Sequence, residues 1–348
     1  MQIPIQNIYY LLCYAWNKLE ESEIVNVNEI DSTELIDLFA KVLSNSCSRL
    51  LKQGLDRYYI ENEDVIIGIK GKLNFSATIK QNVLPLSKTA CIYDEFDYDI
   101  LHNQILKTTI GKLLRAKNLD SSLKDELHKI YLKFPPISEI AIRKSMFNQI
   151  RLHRNNYHYD FILKVCQIIN ENLFIDETEG NYKFKDFTRE EKAMARLFEA
   201  FVRNFYKLET DFTVSSDSIA WQFESENVKD LEMLPMMLTD ITLQSKTRKI
   251  IIDTKYYKEA FQTRYERQKI NSNNLYQLFS YLKNQETDSD LTMNCEGILL
   301  YPSIQNDFVY SFKYKNHKIG IMSINLNQDW QNIRDDLLKI VACKESIK

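Results

Sequence analysis

Hydrophobic residues recur at helical spacing through much of the first half of the chain, with one clear interruption. This periodicity predicts helices over residues 6–20, 31–54, 97–118, 120–133 and 159–173. The second of these begins with Asp31 or Ser32 as its N-cap and ends at Gly54. Residues 57–80 interrupt the helices with β-branched and aromatic residues and two glycines, which indicates strands joined by hairpins or bulges.

The second half of the chain has a different rhythm. Apolar runs predict strands over residues 234–244, 249–257, 296–302 and 319–325, and helical spacing predicts helices over residues 189–208, 272–284 and 328–341. Pro135-Pro136 and the polar stretch 140–158 mark a connection between the halves. We therefore predict an α+β N-terminal domain, residues 1–155, followed by an α/β domain with a mixed central sheet, residues 156–348.

Composition restricts the classes of function. The 348 residues carry a net charge of −3, whereas a protein that holds nucleic acid by electrostatics alone is usually basic. A nucleic-acid role therefore requires a local basic surface or a partner. The six cysteines are far apart and form no CxxC pair, which argues against a disulfide framework or a zinc cluster. The longest N-terminal apolar run, residues 8–16, is too short to span a bilayer, so we expect a soluble, cytoplasmic protein.

Two acidic residues and a lysine stand out in the predicted strands. Asp240 falls in the first of two strands joined by a short polar turn, and Asp253 ends a run of three isoleucines in the second. Because side chains alternate along a strand, Asp253 and Lys255 point to one face and Thr254 to the other. Hairpin pairing brings Asp240 beside them. Two carboxylates and an ammonium group then converge at one edge of a buried sheet.

Such a cluster suits a metal-dependent phosphodiesterase of the PD-(D/E)XK type. Burying these charges is costly unless they are paired or bound to a metal, and oxygen ligands favour Mg²⁺. The predicted ligands are Asp240, Asp253 and the backbone carbonyl of Thr254, while Lys255 orients the attacking water or stabilises the charge on the phosphoryl group. A D-x-K triplet alone is common, and the alternative is a strand-end ion pair between Asp253 and Lys255.

Two predicted helices carry further candidates. Gln277 and Tyr281 lie four residues apart on a face separate from the apolar stripe, and they reach either the site, the DNA backbone or solvent. We assign Gln277 a supporting catalytic role. Glu199 is a candidate additional metal ligand, and its alternative is a surface ion pair with Arg203.

Local charge also favours a phosphate-binding surface. Residues 246–269 carry a net charge of +5, although a merely solvated turn and helix is the alternative. The basic residues of this segment are Lys246, Arg248, Lys249, Lys255, Lys258, Arg264, Arg267 and Lys269.

Several longer motifs resemble the McrC family, the nuclease subunits of McrBC-type, modification-dependent (5-methylcytosine) restriction systems. The resemblance spans nearly the whole chain. It lies in Ile3–Trp16, Ile69–Phe75, Asp186–Lys192, Leu238–Ile241 together with Ile252–Tyr257, and Asn274–Leu278. By motif, the nuclease residues of that family fall on Asp240, Asp253 and Lys255, and less clearly on Glu199 and Gln277.

The resemblance implies a partner and a substrate. The partner is an McrB-like AAA+ GTPase ring that recognises modified double-stranded DNA, binds GTP and contacts the N-terminal half of McrC-like chains. The sequence contains no G-x-x-x-x-G-K-[ST] loop, so GTP belongs to the partner. Two alternatives remain: a non-catalytic adaptor that activates an AAA+ motor, and a PD-(D/E)XK nuclease of another DNA-processing pathway.

Overall fold

The computed structural model describes residues 3–20, 34–175, 181–256, 261–264, 267–304 and 307–342. The helices are α1 (Ile5–Ala15), α2 (Leu35–Gln53), α3 (Phe75–Lys80), α4 (Leu101–Leu114), α5 (Ser121–Tyr131), α6 (Lys144–Phe147), α7 (Tyr159–Asn172), α8 (Glu191–Glu209), α9 (Val228–Glu232), α10 (Ser272–Asn284), α11 (Asp290–Met293) and α12 (Trp330–Val341). The strands are β1 (Tyr58–Ile67), β2 (Lys72–Leu73), β3 (Lys88–Asp97), β4 (Leu173–Ile175), β5 (Tyr182–Phe184), β6 (Thr213–Ser215), β7 (Ser218–Ile219), β8 (Met237–Leu238), β9 (Ile241–Gln244), β10 (Lys249–Thr254), β11 (Phe261–Arg264), β12 (Arg267–Ile270), β13 (Glu296–Ser303), β14 (Val309–Tyr314) and β15 (His317–Asn325).

The helices predicted from helical spacing are all present. The largest difference is at α1, which ends at Ala15 instead of residue 20. Helix α2 has Glu34 as its N-cap residue, while Asp31 and Ser32 lie outside the described residues. Gly54 follows this helix with a positive φ of 95°, a conformation that glycine adopts without steric cost, as predicted.

The chain forms two compact units, Met1–Thr33 with Asp186–Lys348, and Glu34–Lys185. This division differs from the predicted boundary between residues 155 and 156. Helix α7 belongs to the unit Glu34–Lys185, where it packs against α2 and α4. Helix α1 instead packs against α8, and the Asn204 amide of α8 donates to the carbonyls of Tyr14 and Ala15. The N-terminal helix therefore completes the unit built mainly from the C-terminal half.

The unit Glu34–Lys185 contains a three-stranded antiparallel sheet in the order β1-β3-β2. Strand β3 was not predicted, yet it pairs with β1 along ten residues, from Tyr58↔Asp97 to Ile67↔Lys88. The prediction of strand structure up to residue 80 was wrong at its end, because Asn74 caps helix α3 by accepting a hydrogen bond from the Ala77 N–H.

We call residues 58–97, from β1 to β3, the arm. Many of its large apolar side chains are exposed, including those in the segment that joins the two long strands. They are Tyr59, Ile67, Ile69, Phe75, Ile79, Leu84, Leu86 and Phe96. Scattered apolar residues are ordinary on a surface, but a concentration within one supersecondary element is typical of a binding surface.

One buried asparagine holds both ends of the arm. The Asn103 amide nitrogen donates to the carbonyl of Asp56, which precedes β1, and to the carbonyl of Tyr98, which follows β3, both at 2.9 Å. The Tyr159 hydroxyl accepts from the Asp56 N–H and donates to Oδ1 of Asn103, both at 3.0 Å. These hydrogen bonds fix where the arm leaves the helices.

The other unit contains a six-stranded sheet in the order β14-β15-β13-β10-β9-β6. Strands β10, β13 and β15 are parallel, whereas β14, β9 and β6 pair antiparallel with their neighbours. The predicted mixed central sheet is therefore confirmed. Helix α10 packs on β10 and β13, and α8 packs on β6, β9 and β10.

Gly297 of β13 permits the close approach of α10 to this sheet. A Cβ atom at this position would lie 2.9 Å from a methyl carbon of Leu282 and 3.1 Å from those of Leu278. These two leucines share a buried cluster with Ile251 and Leu299 of the sheet. The close packing places the neighbouring residues of α10 near the end of β10.

The predicted strand over residues 234–244 is divided in two. Strand β8 pairs with β7 and strand β9 pairs with β10, and Thr239 and Asp240 lie between them. The Thr239 N–H donates to the carbonyl of Asp217 at 3.0 Å instead of joining the β10 ladder. Asp240 consequently lies in a bend at the start of β9, not within a strand.

No helix among the described residues is both long and apolar enough to cross a membrane. The five cysteines within the described ranges are buried free thiols.

Candidate active site

The two acidic residues meet at the end of the β9–β10 ladder. The last antiparallel pair is Ile252↔Ile241, so the next position in register sets Asp253 opposite Asp240. On its other edge β10 pairs in parallel with β13, through Asp253↔Leu299. Asp253 thus lies on a central strand inside the sheet, while Asp240 lies in the bend that directly precedes β9. The predicted juxtaposition of the two carboxylates is present.

Asp253 has a fully buried carboxylate. Its exposed fraction is 0%, and among the described residues Oδ1 has no hydrogen-bond partner. The Nζ atom of Lys255 lies 2.7 Å from Oδ2 as an ion pair. Burial raises the pKa of Asp253 to about 7; Lys255 opposes this shift, and the charges of Asp240 and Glu199 add to it. Such a carboxylate favours a cation that restores its lost solvation.

Asp240 is held from two sides. Its Oδ2 accepts hydrogen bonds from the N–H and the hydroxyl of Thr254, at 2.8 and 3.0 Å. Its backbone carbonyl accepts from Nε and Nη2 of Arg203, at 3.2 and 2.9 Å. This contact was not predicted from the sequence, because helical spacing linked Arg203 only to Glu199. Nothing in the local pattern indicates a contact across 37 positions.

Lys255 is linked to helix α10 by a short series of hydrogen bonds. Its Nζ donates to Oε1 of Gln277 at 3.1 Å, and Nε2 of Gln277 donates to the Tyr281 hydroxyl at 2.6 Å. That hydroxyl donates to the Leu238 carbonyl at 2.8 Å. The structure therefore brings both predicted α10 residues to the site, and they restrict where the ammonium group of Lys255 lies.

Glu199 lies at the rim of the site. It forms the anticipated ion pair with Arg203, and both side chains are about one-third exposed. Burial raises the pKa of Glu199, and the charge of Asp240 raises it further. Glu199 thus belongs to the same electrostatic group as the two aspartates, although its metal-binding role stays a prediction.

The predicted basic segment is only partly described. Within it, Arg248 forms an ion pair with Glu296, at 2.6 Å between Nε and Oε1, and Nζ of Lys249 lies 3.1 Å from Asp217. Lys258 lies outside the described residues, as do the side chains of Arg264, Arg267 and Lys269. The phosphate-binding patch over 246–269 therefore stays a prediction as a whole, but three of its cations, with Lys255 beside Asp253 as the third, already have carboxylate partners.

The donor atoms fit a hard cation. Within the described ranges no group of three or more His, Cys, Asp or Glu side chains is arranged to hold a metal ion. The donor set consists instead of the buried Asp253 carboxylate, the facing Asp240 carboxylate and backbone oxygen. The N–H of Thr254 points towards Asp240 and that of Lys255 towards Leu300, so the Thr254 carbonyl also faces Asp240. Anionic and carbonyl oxygens are the ligands that Mg²⁺ prefers.

Comparisons with known proteins agree on one family. Residues 6–302 match the family described as McrBC 5-methylcytosine restriction system component. The curated protein "Type IV methyl-directed restriction enzyme EcoKMcrBC" of Escherichia coli (strain K12) is 34% identical over 339 residues, which cover 97% of either chain.

A solved structure shares the fold. It is the refined half-complex from a tetradecameric assembly of Thermococcus gammatolerans McrB AAA+ hexamers with bound McrC. The match has a TM-score of 0.58 at 17% identity and covers 97% of this chain and 76% of that chain. The family match extends over most of the chain and includes both aspartates and the lysine of the site. This chain therefore belongs to the McrBC 5-methylcytosine restriction system component family.

Proposed function

We propose that this chain is the DNA endonuclease subunit of a cytoplasmic, GTP-dependent and modification-dependent restriction complex, with a PD-(D/E)XK nuclease fold. The observation that carries the proposal is Asp253, which is fully buried, faces Asp240 and lies 2.7 Å from the Lys255 ammonium group. A carboxylate that is buried this deeply, with Oδ1 lacking a hydrogen-bond partner among the described residues, is unfavourable for folding, which supports a role in binding and catalysis.

The residues divide the chemical work among them. Asp240, Asp253 and the Thr254 carbonyl are the proposed ligands of Mg²⁺, with Glu199 as a further candidate. When bound, Mg²⁺ would polarise the phosphodiester and favour deprotonation of the attacking water. Lys255 orients the attacking water and stabilises the negative charge that develops on the phosphoryl oxygens. Gln277 keeps Lys255 within reach of both tasks, because its Oε1 accepts a hydrogen bond from Nζ.

The second part of the proposal is a partner, an McrB-like AAA+ GTPase ring that binds GTP and recognises modified double-stranded DNA. It is supported by the family and by the related McrC, which is bound to McrB AAA+ hexamers in its solved structure. The arm supplies a suitable surface, because its exposed apolar side chains include Ile67 and Phe75, each at least 69% exposed. Stimulation of the partner GTPase through the arm is compatible with cleavage of DNA at the site that contains Asp253.

An adaptor without nuclease activity is the second candidate function. The exposed arm favours partner binding by itself and does not require a catalytic site. The buried Asp253 carboxylate opposite Asp240 distinguishes the two candidates, because an adaptor does not need it.

Reconstitution of the full chain with its AAA+ partner tests both functions. We expect cleavage of methylated DNA with GTP and Mg²⁺. Asp253→Asn or Lys255→Ala should abolish cleavage while GTPase stimulation remains. Phe75→Asp, at an exposed arm position, should reduce GTPase stimulation and leave the nuclease fold intact. Cleavage at the wild-type rate by Asp253→Asn would refute the site assignment. Stimulation without any cleavage by the wild-type complex would favour the adaptor.

A further inference from the structure

We propose that the exposed face of helix α8 binds the phosphates of the DNA strand that enters the site, through Lys192 and Arg196. This inference rests on the proposed nuclease function, since it concerns how the same substrate reaches the same site. It also replaces part of the basic segment 246–269 as the phosphate-binding surface, because Arg248 and Lys249 of that segment are already neutralised by carboxylates.

Helical geometry aligns four charged side chains on α8. Lys192, Arg196, Glu199 and Arg203 are spaced by four, three and four residues and therefore lie on one face. The opposite face is buried and consists of Met194, Leu197, Phe198, Phe201, Val202 and Phe205. Nε of Arg196 donates to the Lys192 carbonyl at 3.3 Å, which directs its guanidinium group back along the helix.

This charged face ends at the catalytic residues. Arg203 donates to the Asp240 carbonyl and forms an ion pair with Glu199, so the C-terminal part of this face lies beside the site. With a rise of about 1.5 Å per residue, Arg196 lies about 10 Å along the axis from Arg203, or roughly three nucleotides of one strand. A strand that is seated at Asp240 and Asp253 and runs along α8 would therefore pass Arg196.

The two cations are available for phosphates. Lys192 and Arg196 are exposed, and neither has a carboxylate at ion-pair distance in the part of the chain that the structure describes. Glu190 and Glu191 at the start of the helix lie about 100° or more around its axis from Lys192. In a chain with a net charge of −3, such unneutralised cations beside the site determine where a polyanion binds.

Contacts of this kind carry no sequence information. Lysine binds phosphate as a point charge and arginine through paired donors, and contacts to phosphate do not read the base sequence. The α8 face would therefore hold any duplex at the site. The choice of modified DNA would lie elsewhere in the complex.

The inference is tested by measuring the salt dependence of DNA binding. The protein is the full chain with Asp253→Asn, which lacks the catalytic carboxylate. The probe is a fluorescent duplex, and affinity is measured over 50–200 mM salt, the range over which phosphate contacts dominate. Adding Lys192→Gln and Arg196→Gln should weaken binding to a similar extent for different DNA sequences. It should also reduce the magnitude of the negative slope of log affinity against log salt by about two. The control variant, Lys313→Gln with Lys318→Gln, removes two exposed lysines from β14 and β15 at the opposite edge of the sheet.

An unchanged slope, or the same change in the control variant, would overturn the inference, as would a lack of binding at the lowest salt. DNA cleavage by a complex that carries only the Lys192 and Arg196 substitutions tests the α8 surface separately from the proposed nuclease function. Cleavage that depends on Asp253 but not on Lys192 and Arg196 would exclude only the α8 surface. If the salt slope changes by the predicted amount but the wild-type complex does not cleave DNA, the nuclease function is excluded and the DNA-binding surface remains.

Discussion

Oδ2 of Asp240 accepts two hydrogen bonds from Thr254, one from its backbone N–H at 2.8 Å and one from its hydroxyl at 3.0 Å. Thr254 directly follows Asp253, so this contact links the two carboxylate-bearing segments where their strand pairing ends. The side chain of Thr254 is therefore a positioning group for the proposed metal site, in addition to the role proposed for its carbonyl.

Thr254→Val removes the hydroxyl while it preserves the β-branched shape that suits a buried strand. Loss of a hydrogen bond to a metal ligand lowers metal affinity or activity by about 10- to 100-fold. We expect that loss in titrations of the full chain with Mn²⁺ or Mg²⁺ and in cleavage by the complex. Thr254→Ser retains the hydroxyl and should restore most of the affinity. Equal metal binding by the Val variant and the wild-type chain would contradict the positioning role.

The raised pKa of Asp253 predicts a pH dependence of stability without metal. An unfolded aspartate has a pKa of about 3.9, whereas burial raises that of Asp253 to about 7 in the folded chain. The folded chain therefore binds this proton more tightly than the unfolded chain. Its contribution favours the fold at low pH, declines between about pH 4 and pH 7, and is level above that range.

Asp253→Asn should abolish that decline, which corresponds to a decrease in the free energy of unfolding on the order of a few kcal/mol. Denaturant unfolding of the metal-free chain between pH 4 and pH 8 measures it. The informative quantity is the difference between the slopes of the two proteins, because other groups titrate in both. Parallel curves would show that Asp253 is not buried as described. Protons also compete with cations for this carboxylate, so Mg²⁺ affinity should fall as the pH drops below about 7.

The hydrogen bonds from Lys255 through Gln277 to Tyr281 predict a kinetic effect of Tyr281→Phe. This substitution removes the hydroxyl that accepts from Gln277 and donates to the Leu238 carbonyl, so Gln277 no longer restricts Lys255. Of the two hydrogen bonds lost, the one from Gln277 restrains Lys255, and its loss, worth about 1–1.5 kcal/mol, corresponds to a roughly tenfold slower reaction. Single-turnover cleavage should show a lower rate with little change in DNA affinity.

The matched control is Tyr276→Phe on the same helix, where the side chain is 68% exposed. It should leave the rate unchanged. If both variants slow cleavage equally, the effect belongs to the helix and not to the series of hydrogen bonds.

The buried hydroxyl of Tyr159 predicts how the arm is held. Tyr159→Phe leaves the Asp56 N–H and Oδ1 of Asn103 without this partner, which should lower the free energy of unfolding by about 1–3 kcal/mol. The arm should also become more accessible to proteases, and stimulation of the partner GTPase should decrease. Tyr59→Phe is the control, because Tyr59 is 73% exposed. A loss of stability without any change at the arm would limit Tyr159 to a structural role.

Local pattern predicted what depends on local interactions. Helix α10 extends over Ser272–Asn284 as its apolar spacing indicated, and the isoleucine run before Asp253 forms β10. Asp253 and Lys255 share a face because side chains alternate along any extended chain. The residues of the candidate site were also predicted from the sequence, because two acids and a lysine fall at the ends of neighbouring strands.

Pairing between distant segments could not be predicted in this way. Strand β3 is defined by its partner β1, and the bend at Asp240 arises because Thr239 bonds to Asp217 in preference to the β10 ladder. Helix α1 joined the unit of the C-terminal half through contacts between residues about 190 positions apart.

By itself the sequence determined the helices, the central strand and the acidic and basic residues of the site, because these follow from the spacing of side chains along one segment. Only the tertiary structure decided that Arg203 and Thr254 hold Asp240 and that the carboxylate of Asp253 is fully buried. Burial and hydrogen bonding depend on which distant groups fold together, and burial is what raises the pKa of Asp253 far above its usual range.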